Sequence, residues 1–364
     1  MMRRRLVQAL TGLVISAVAL WLTFRGKDMG GVWRATREAD YRYLALYVPF
    51  WGAIHLARTV RWGILLEPIA RVPFRRLNAA SAVGFMALAI LPFRLGEFAR
   101  PYLVAERPRL RVAAALSSVV VERVVDGIFT GLLLLASLLA MPDDLPGVRV
   151  LRAGGVIVSL AFAAMVLFLV GAYRNRARAV AITRRLLAAS PRLAGRAAGM
   201  LDAFIGGLRL VPGRGKVVLF FALTAVYWGL SAWGMQVLAL GFGISLGPVQ
   251  ACALLGVLVV GVMIPAGPGM VGTFQGAIVV GLGLFAARDV VATRGMAYAN
   301  VLWATQLGLQ ITLGLFFLFS RHIQLGRVLS ASREVARGLD TEAVLSEDPD
   351  DGGGTPEERA EGGV

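Results

Sequence analysis

Arg94, Glu97 and Arg100 follow the dipeptide Leu91-Pro92 at a spacing of three, so on a helix that resumes after the proline they share one face. Two arginines flanking a glutamate are suited to holding an anion. A guanidinium gives forked, charge-assisted hydrogen bonds to a phosphate or phosphodiester, and the carboxylate keeps one fork in place. The residues leading into the break, 84–91, are apolar, and Gly96 loosens the backbone again beyond it. Ionised groups cost a few kcal/mol or more in hydrocarbon, and irregular backbone is tolerated at membrane depth only against protein or water. The stretch therefore calls for a lined cavity. A helix end at an interface with ordinary flanking arginines is the competing reading; the proline, the glycine and the acid favour a site.

Two further sets of residues bear on that cavity. Glu122 and Asp126 are four apart and stack on one helix face, while Arg123 leaves the helix about 100° away. Such a pair can partner Arg58, Arg61, Arg94 or Arg100, or relay protons, or hold helices together as an ion-pair network. Arg58 and Arg61 also share a face. Arg61, beside Trp62, reads as snorkelling to the membrane interface, and Arg58 as facing the cavity. The last set is uncharged: Pro265, Gly267, Pro268, Gly269, Gly272, Thr273 and Gln275. A Gly-Pro-Gly break cannot continue a helix. It frees backbone N–H groups, and the N-terminus of the next helix can bind an anion. Close packing of small residues is the alternative use.

Other chemistry leaves little trace. No strand precedes the glycines, so they form no nucleotide-binding fingerprint. His55 and His322 make no metal motif, and no serine elbow, phosphate-binding loop or paired-aspartate sugar-transfer motif is present. No cofactor, metal or catalytic residue is expected. Cys252 is the single cysteine, which excludes a disulfide framework.

The elements that must position these residues are membrane helices. The chain has 364 residues, is 57% hydrophobic and has a mean hydropathy of +0.70. Its apolar runs reach or approach the ~20 residues that span a bilayer. The net charge of +16 does not point to nucleic acid, because the arginines lie mainly between apolar runs, where topology and anionic headgroups require them. The expected spans are 7–24, 43–66, 113–141, 153–173, 217–240 and 297–320. The first of these follows MMRRR without a small-residue cleavage site and reads as an uncleaved helix. Segments 78–104 and 248–287 are broken. Segment 174–216 is basic with interleaved apolar residues and reads as amphipathic helices on a membrane surface. Beyond about residue 338 the tail is acidic and rich in glycine, and is expected to be disordered.

Placing the dense arginine clusters in the cytoplasm makes both broken segments re-entrant hairpins and puts both termini inside. The expected fold is an all-α polytopic membrane protein of about six spans with two re-entrant broken hairpins in an inverted repeat, the pattern of transporters with a site near the midplane. Its parts are 1–42, the first helix and an external loop; 43–141, repeat 1 with hairpin 78–104; 142–216, a linking helix and the basic segment; 217–320, repeat 2 with hairpin 248–287; and 321–364, a cytoplasmic tail.

Four motifs in order carry a family likeness: Arg58, Arg61, Trp62, Leu65 and Leu66; residues 91–100, LPFRLGEFAR; residues 122–127, ERVVDG; and residues 265–275, PAGPGMVGTFQ. Over 43–320 the chain resembles the lysylphosphatidylglycerol synthase transmembrane-region family, the flippase-like membrane proteins. The resemblance implies a membrane domain that moves lipids across the bilayer, including aminoacylated phosphatidylglycerol, with some relatives tied to polyprenyl-phosphate-linked glycans. Lysyl-transferring members carry a soluble domain after the membrane part, whereas this sequence continues only into the tail 321–364, which favours a stand-alone translocase.

The combined expectation is a translocase of the cytoplasmic membrane for an anionic, phosphate-containing lipid such as a phospholipid or polyprenyl-phosphate carrier. Arg58, Arg94 and Arg100 would bind the anion; Glu97, Glu122 and Asp126 would orient them; Gly267, Gly269, Thr273 and Gln275 would supply the second tip. A transporter is favoured over an enzyme. The alternatives are a membrane-embedded glycosyl- or phospho-transferase acting on a lipid carrier, and a non-catalytic scaffold for envelope-synthesis enzymes.

Overall fold

The computed structural model describes residues 28–91, 96–105, 112–142, 147–187, 190–208, 213–263 and 267–319, with Val18, Trp21 and Arg25. Apart from Val18 and Trp21, the expected first span 7–24 lies outside the described residues, as do the tail 321–364 and Pro92, Arg94 and Pro265. Among the described residues the chain is helical, with no strand. The helices are α1 (Met29–Arg37), α2 (Arg42–Leu66), α3 (Phe74–Ile90), α4 (Ala99–Val104), α5 (Val112–Leu139), α6 (Val148–Arg174), α7 (Arg176–Leu186), α8 (Pro191–Leu208), α9 (Arg214–Leu240), α10 (Pro248–Met263), α11 (Thr273–Leu282) and α12 (Met296–Phe319). A short helical lead, Arg288–Val290, and a π turn, Val291–Gly295, run into α12.

Among the described residues, three stretches are long and apolar enough to cross a membrane: α6, α9 and Arg288–Phe319, which ends in α12. They coincide with the expected spans 153–173, 217–240 and 297–320. Helices α2 and α5 are as long, 25 and 28 residues, but they carry the polar side chains of the cluster described below. α6 shows what a lipid-facing helix looks like: Val150, Ile157, Leu160, Leu167 and Phe168 all point outward, and only Val148 and Gly155 are buried.

Both expected breaks are present, and both segments double back. α3 stops where Leu91 turns extended (φ −81°, ψ 137°). The chain returns as a single turn over residues 96–98 and then α4. Gly84 lies against the Arg100 side chain, and Gly96 against the backbone of Ala87 and Leu88, an antiparallel register with no room for a Cβ at either glycine. In the second segment α10 ends at Met263, the turn Pro268–Met270 follows, and α11 runs back along α10 with Gly261 against Ala277 and Gly281 against Leu254. Left-handed backbone makes this tip: Gly269 (φ 71°), Met270 (φ 54°) and Gly272 (φ 87°). That conformation suits glycine and strains a methionine. The end of α3 meets the turn Pro268–Met270, so the two tips touch. Gly96→Ala would push a methyl into backbone. We expect it to destabilise the protein by about 1–3 kcal/mol, read as a lowered melting temperature in detergent; an unchanged value would show that the first tip is not so tightly closed.

Among the described residues packing forms two larger apolar cores, beside a smaller one that joins α5 to α10 around Leu134, Leu138, Ala253 and Val257. One joins α2, α9, α10, α11 and α12 around Trp228, Met235, Leu254, Ile278 and Tyr298. The other joins the end of α2 to α3, α4 and the start of α5 around Trp62, Leu77, Val83 and Val119. At the foot of this bundle Lys216 Nζ lies 2.5 Å from Glu67 Oε1 and ties α9 to α2. The hydrogen bond from Lys216 holds the Glu67 carboxyl below its ordinary value.

Two expectations are corrected. Residues 29–37, expected as loop, form α1, which seats Val32 in the main core beside the π turn. The basic segment is not simply laid on a surface. α7 buries nothing, but α8 packs along α5 and buries Ala194, Ala198 and Ile205. Apolar residues at helical spacing on α8 met another helix rather than headgroups.

Candidate functional site

Arg61 is the hub of the site. Its side chain is wholly buried, and both terminal nitrogens are spent on acids of α5: Nη1 and Nη2 donate to Asp126 at 2.5 and 2.8 Å, and Nη2 donates to Glu122 at 2.9 Å. Nη1 also donates to Thr224 Oγ1 of α9 at 3.2 Å. One guanidinium thus joins three helices. The i, i+4 spacing of Glu122 and Asp126 is what allows a single planar fork to reach both carboxylates.

Other cations gather round the same pair of acids. Arg100 Nη1 donates to Glu122 Oε2 at 3.0 Å. Arg123 lies 3.3 Å from both Glu122 and Asp126. Its Cβ leaves the helix off their face, but the long side chain curls back. Trp228 Nε1 adds a donor to Asp126 at 3.3 Å. Trp62 donates to Ser118 Oγ at 3.0 Å, which fixes its ring beneath Arg100, 4.2 Å from ring centre to guanidinium. Ser118→Ala would orphan that buried indole N–H, at an expected cost of about 1–3 kcal/mol; equal melting temperatures for variant and wild type would refute it.

Arg58 differs from its neighbours. Among the described residues it makes no ion pair. Its guanidinium sits 3.6 Å above the Phe85 ring and 5.5 Å from that of Tyr227, and its Nε has no partner. The cluster therefore sets Arg58, Arg61, Arg100 and Arg123 against Glu97, Glu122 and Asp126, leaving positive charge uncompensated. A desolvated guanidinium with only aromatic contacts is poised for an anion.

The anion has somewhere to sit. A cavity of about 430 Å³ opens beside the cluster, within the size range of ligand sites. Leu88, Ala89 and Glu97 line it from the first tip, and Gly269, Met270 and Phe274 from the second. α2 contributes Tyr47, Trp51 and Arg58; α5 contributes Arg123 and Asp126; α12 contributes Trp303, Gln306 and Gln310. Trp303 Nε1 donates to Gly269 O at 2.7 Å and clamps the second tip to α12.

Of the residues singled out from sequence, Arg58, Glu97, Asp126 and Gly269 line the cavity, and Arg100 and Glu122 stand behind it in the ion network. Arg94 falls outside the described residues. Thr273 and Gln275 are buried and used within their own tip: Thr273 donates to Met270 O at 3.0 Å, and Gln275 accepts from Gly272 N at 2.8 Å. Gly267 is buried in the same tip. The interfacial reading of Arg61 is overturned by its complete burial. Arg123 was not expected in the site, and neither were the aromatic and amide groups of the wall, Trp51, Tyr227, Trp228, Trp303, Gln306 and Gln310.

These features define an all-helical membrane protein with an arginine-rich ion cluster at the wall of a cavity lined by two helical tips. The chain belongs to the family described as lysylphosphatidylglycerol synthase TM region, whose model matches residues 9–314. The family ties the chain to lipid synthesis or translocation in membranes. No curated protein and no solved structure matches it.

Proposed function

We propose that the protein is a translocase for an anionic, phosphate-containing lipid, a phospholipid or polyprenyl-phosphate carrier, whose headgroup sits between the two hairpin tips. The observation that carries this reading is Arg58: a cation without an acidic partner among the described residues, on the wall of a cavity built from both halves of the chain. Arg94, two residues beyond Pro92 in the sequence, would join it, with Glu97 holding the arginines in place. Hairpin 78–104 lies between spans 43–66 and 113–141, and hairpin 248–287 between spans 217–240 and 297–320. This supports two re-entrant units of opposite orientation in a six-span protein of the cytoplasmic membrane, termini inside. Alternating access would come from rocking one unit against the other at the touching tips, while the lipid tails stay in the bilayer.

The transferase reading gains less support. It needs carboxylates free to hold a metal, and Glu122 and Asp126 spend their oxygens on arginines. The test is reconstitution of the full chain in liposomes, following the sidedness of fluorescent phosphatidylglycerol and of a short polyprenyl phosphate. Movement of either lipid above protein-free vesicles is expected. Folded protein that moves neither would overturn the proposal.

A further inference from the structure

The cavity is longer than a phosphate. Along α2, Arg58 and Tyr47 are eleven residues apart, about 16 Å of helix. Antiparallel packing of α9 carries the same axis: Thr224 bonds Arg61, Asp126 is met by Trp228, and Gly234 lies against Tyr47. The Arg58 end holds the acids and guanidiniums. The Tyr47 end is different in kind, and its groups are uncharged.

At that end Gln306 Nε2 donates to Tyr47 Oη at 2.9 Å, and among the described residues the Gln306 carbonyl and the tyrosine hydrogen have no further partner. Gln310, one turn further along α12 towards Met86 and so between the two ends, makes no hydrogen bond among the described residues and lines the cavity half-buried. Trp51 stacks on His55 at 5.9 Å and lines the same cavity. The carboxylates on the wall, Glu97 and Asp126, belong to the arginine end, where Glu97 lies close enough to feel the charge of Arg123.

We infer that this end is a second subsite, reading a neutral polyhydroxylated group, a sugar or cyclic polyol, joined to the phosphate. The inference rests on the phosphate-lipid reading and narrows it. Amides offer donors and acceptors together, which suits hydroxyls, and indole faces suit the flat C–H surface of a ring. A cationic headgroup would find aromatic rings but no acid. A site built to bond hydroxyls discriminates strongly against the analogue without them. Gln310 is the specificity-determining residue.

The test is binding of soluble dihexanoyl phospholipids to the full chain in detergent. The probes are the inositol, ethanol and choline phosphodiesters, which share tails and phosphate. The inositol lipid is expected to bind wild type at least about tenfold tighter than the ethanol lipid. Gln310→Leu should bring that ratio close to one, and Gln310→Asn, a smaller change that withdraws the amide without removing it, should lower it. Equal binding of the two by wild type, a ratio unmoved by Gln310→Leu, or tighter binding of the choline lipid would each overturn the subsite while leaving the phosphate reading standing. Failure of both anionic lipids to bind, or binding indifferent to Arg58→Gln, would overturn both.

Discussion

Arg61→Leu is expected to cost about 3–5 kcal/mol of stability and to lower the melting temperature by roughly 10 °C or more, with much of the protein lost to aggregates on size exclusion. The side chain is wholly buried, and four of its hydrogen bonds cross to α5 and α9. Leucine fills the space but leaves Asp126 and Glu122 facing hydrocarbon-like surroundings with Arg100 and Arg123 as incomplete substitutes. The damage comes from the stranded acids, not from the lost attraction, because a buried pair barely repays its own desolvation. That argument makes a second expectation: Arg61→Leu combined with Asp126→Leu should recover part of the loss, since contacting residues do not add. Arg61→Lys keeps the charge but cannot fork to two carboxylates, and should fall between. A melting temperature unchanged in Arg61→Leu would show that the network is ornamental.

What could be read from the sequence was what acts locally. A proline with glycines close by ends a helix more often than either does alone, and Pro49 stays inside α2; the breaks after Leu91 and around Gly267–Gly269 were therefore legible from such clusters, as were the long apolar helices α6, α9 and α12. The pairing of Glu122 with Asp126 follows from helix periodicity alone. The partner was not legible. Arg61 stands one turn from the end of α2 beside a tryptophan, which is also where a snorkelling arginine belongs. Only the fold brings it to an acid sixty-one residues away. Arg123 misled for a related reason: Cβ direction is a helix property, whereas the reach of a long side chain is not. Thr273 and Gln275 are the polar groups one would pick for a ligand, but a left-handed tip followed by a helix start needs caps, and they supply them. α1, with its mixed charges, becomes a helix only because the π turn before α12 gives Val32 somewhere to pack.

The amides of α12 were not legible as site residues, because a glutamine in an apolar helix has no periodic signature. Gln306 and Gln310 are one turn apart, on the face that meets α2 and the cavity, and their positions matter only once Tyr47 and Trp51 are seen opposite. The cavity therefore joins a charged end that motif reading could anticipate to a neutral end that it could not. The two ends carry different burdens: one organises the fold and attracts an anion, the other distinguishes among anions.

Arg58→Gln, three residues from Arg61 on the same helix face, is expected to behave in the opposite way. It should leave the folded protein intact and weaken transport of a phosphate lipid by about 30-fold or more, equivalent to ~2 kcal/mol of lost interaction with the headgroup. Stability is spared because no carboxylate among the described residues is ion-paired or hydrogen-bonded to Arg58, so its removal takes no direct partner from an acid. A desolvated charge is removed instead, and the melting temperature should hold or rise. Transport falls because the Arg58 guanidinium, held on Phe85, is the wall cation with forked donors to spare. Arg100 is a poorer probe: it bonds Glu122, and its loss would mix a folding defect with a binding one. Arg58→Lys keeps a point charge and should retain part of the activity. The measurement is initial translocation rate in liposomes at equal amounts of folded protein. Wild-type rates in Arg58→Gln would sink the headgroup site, whereas a protein that fails to fold would mean that Arg58 belongs to the structural network after all.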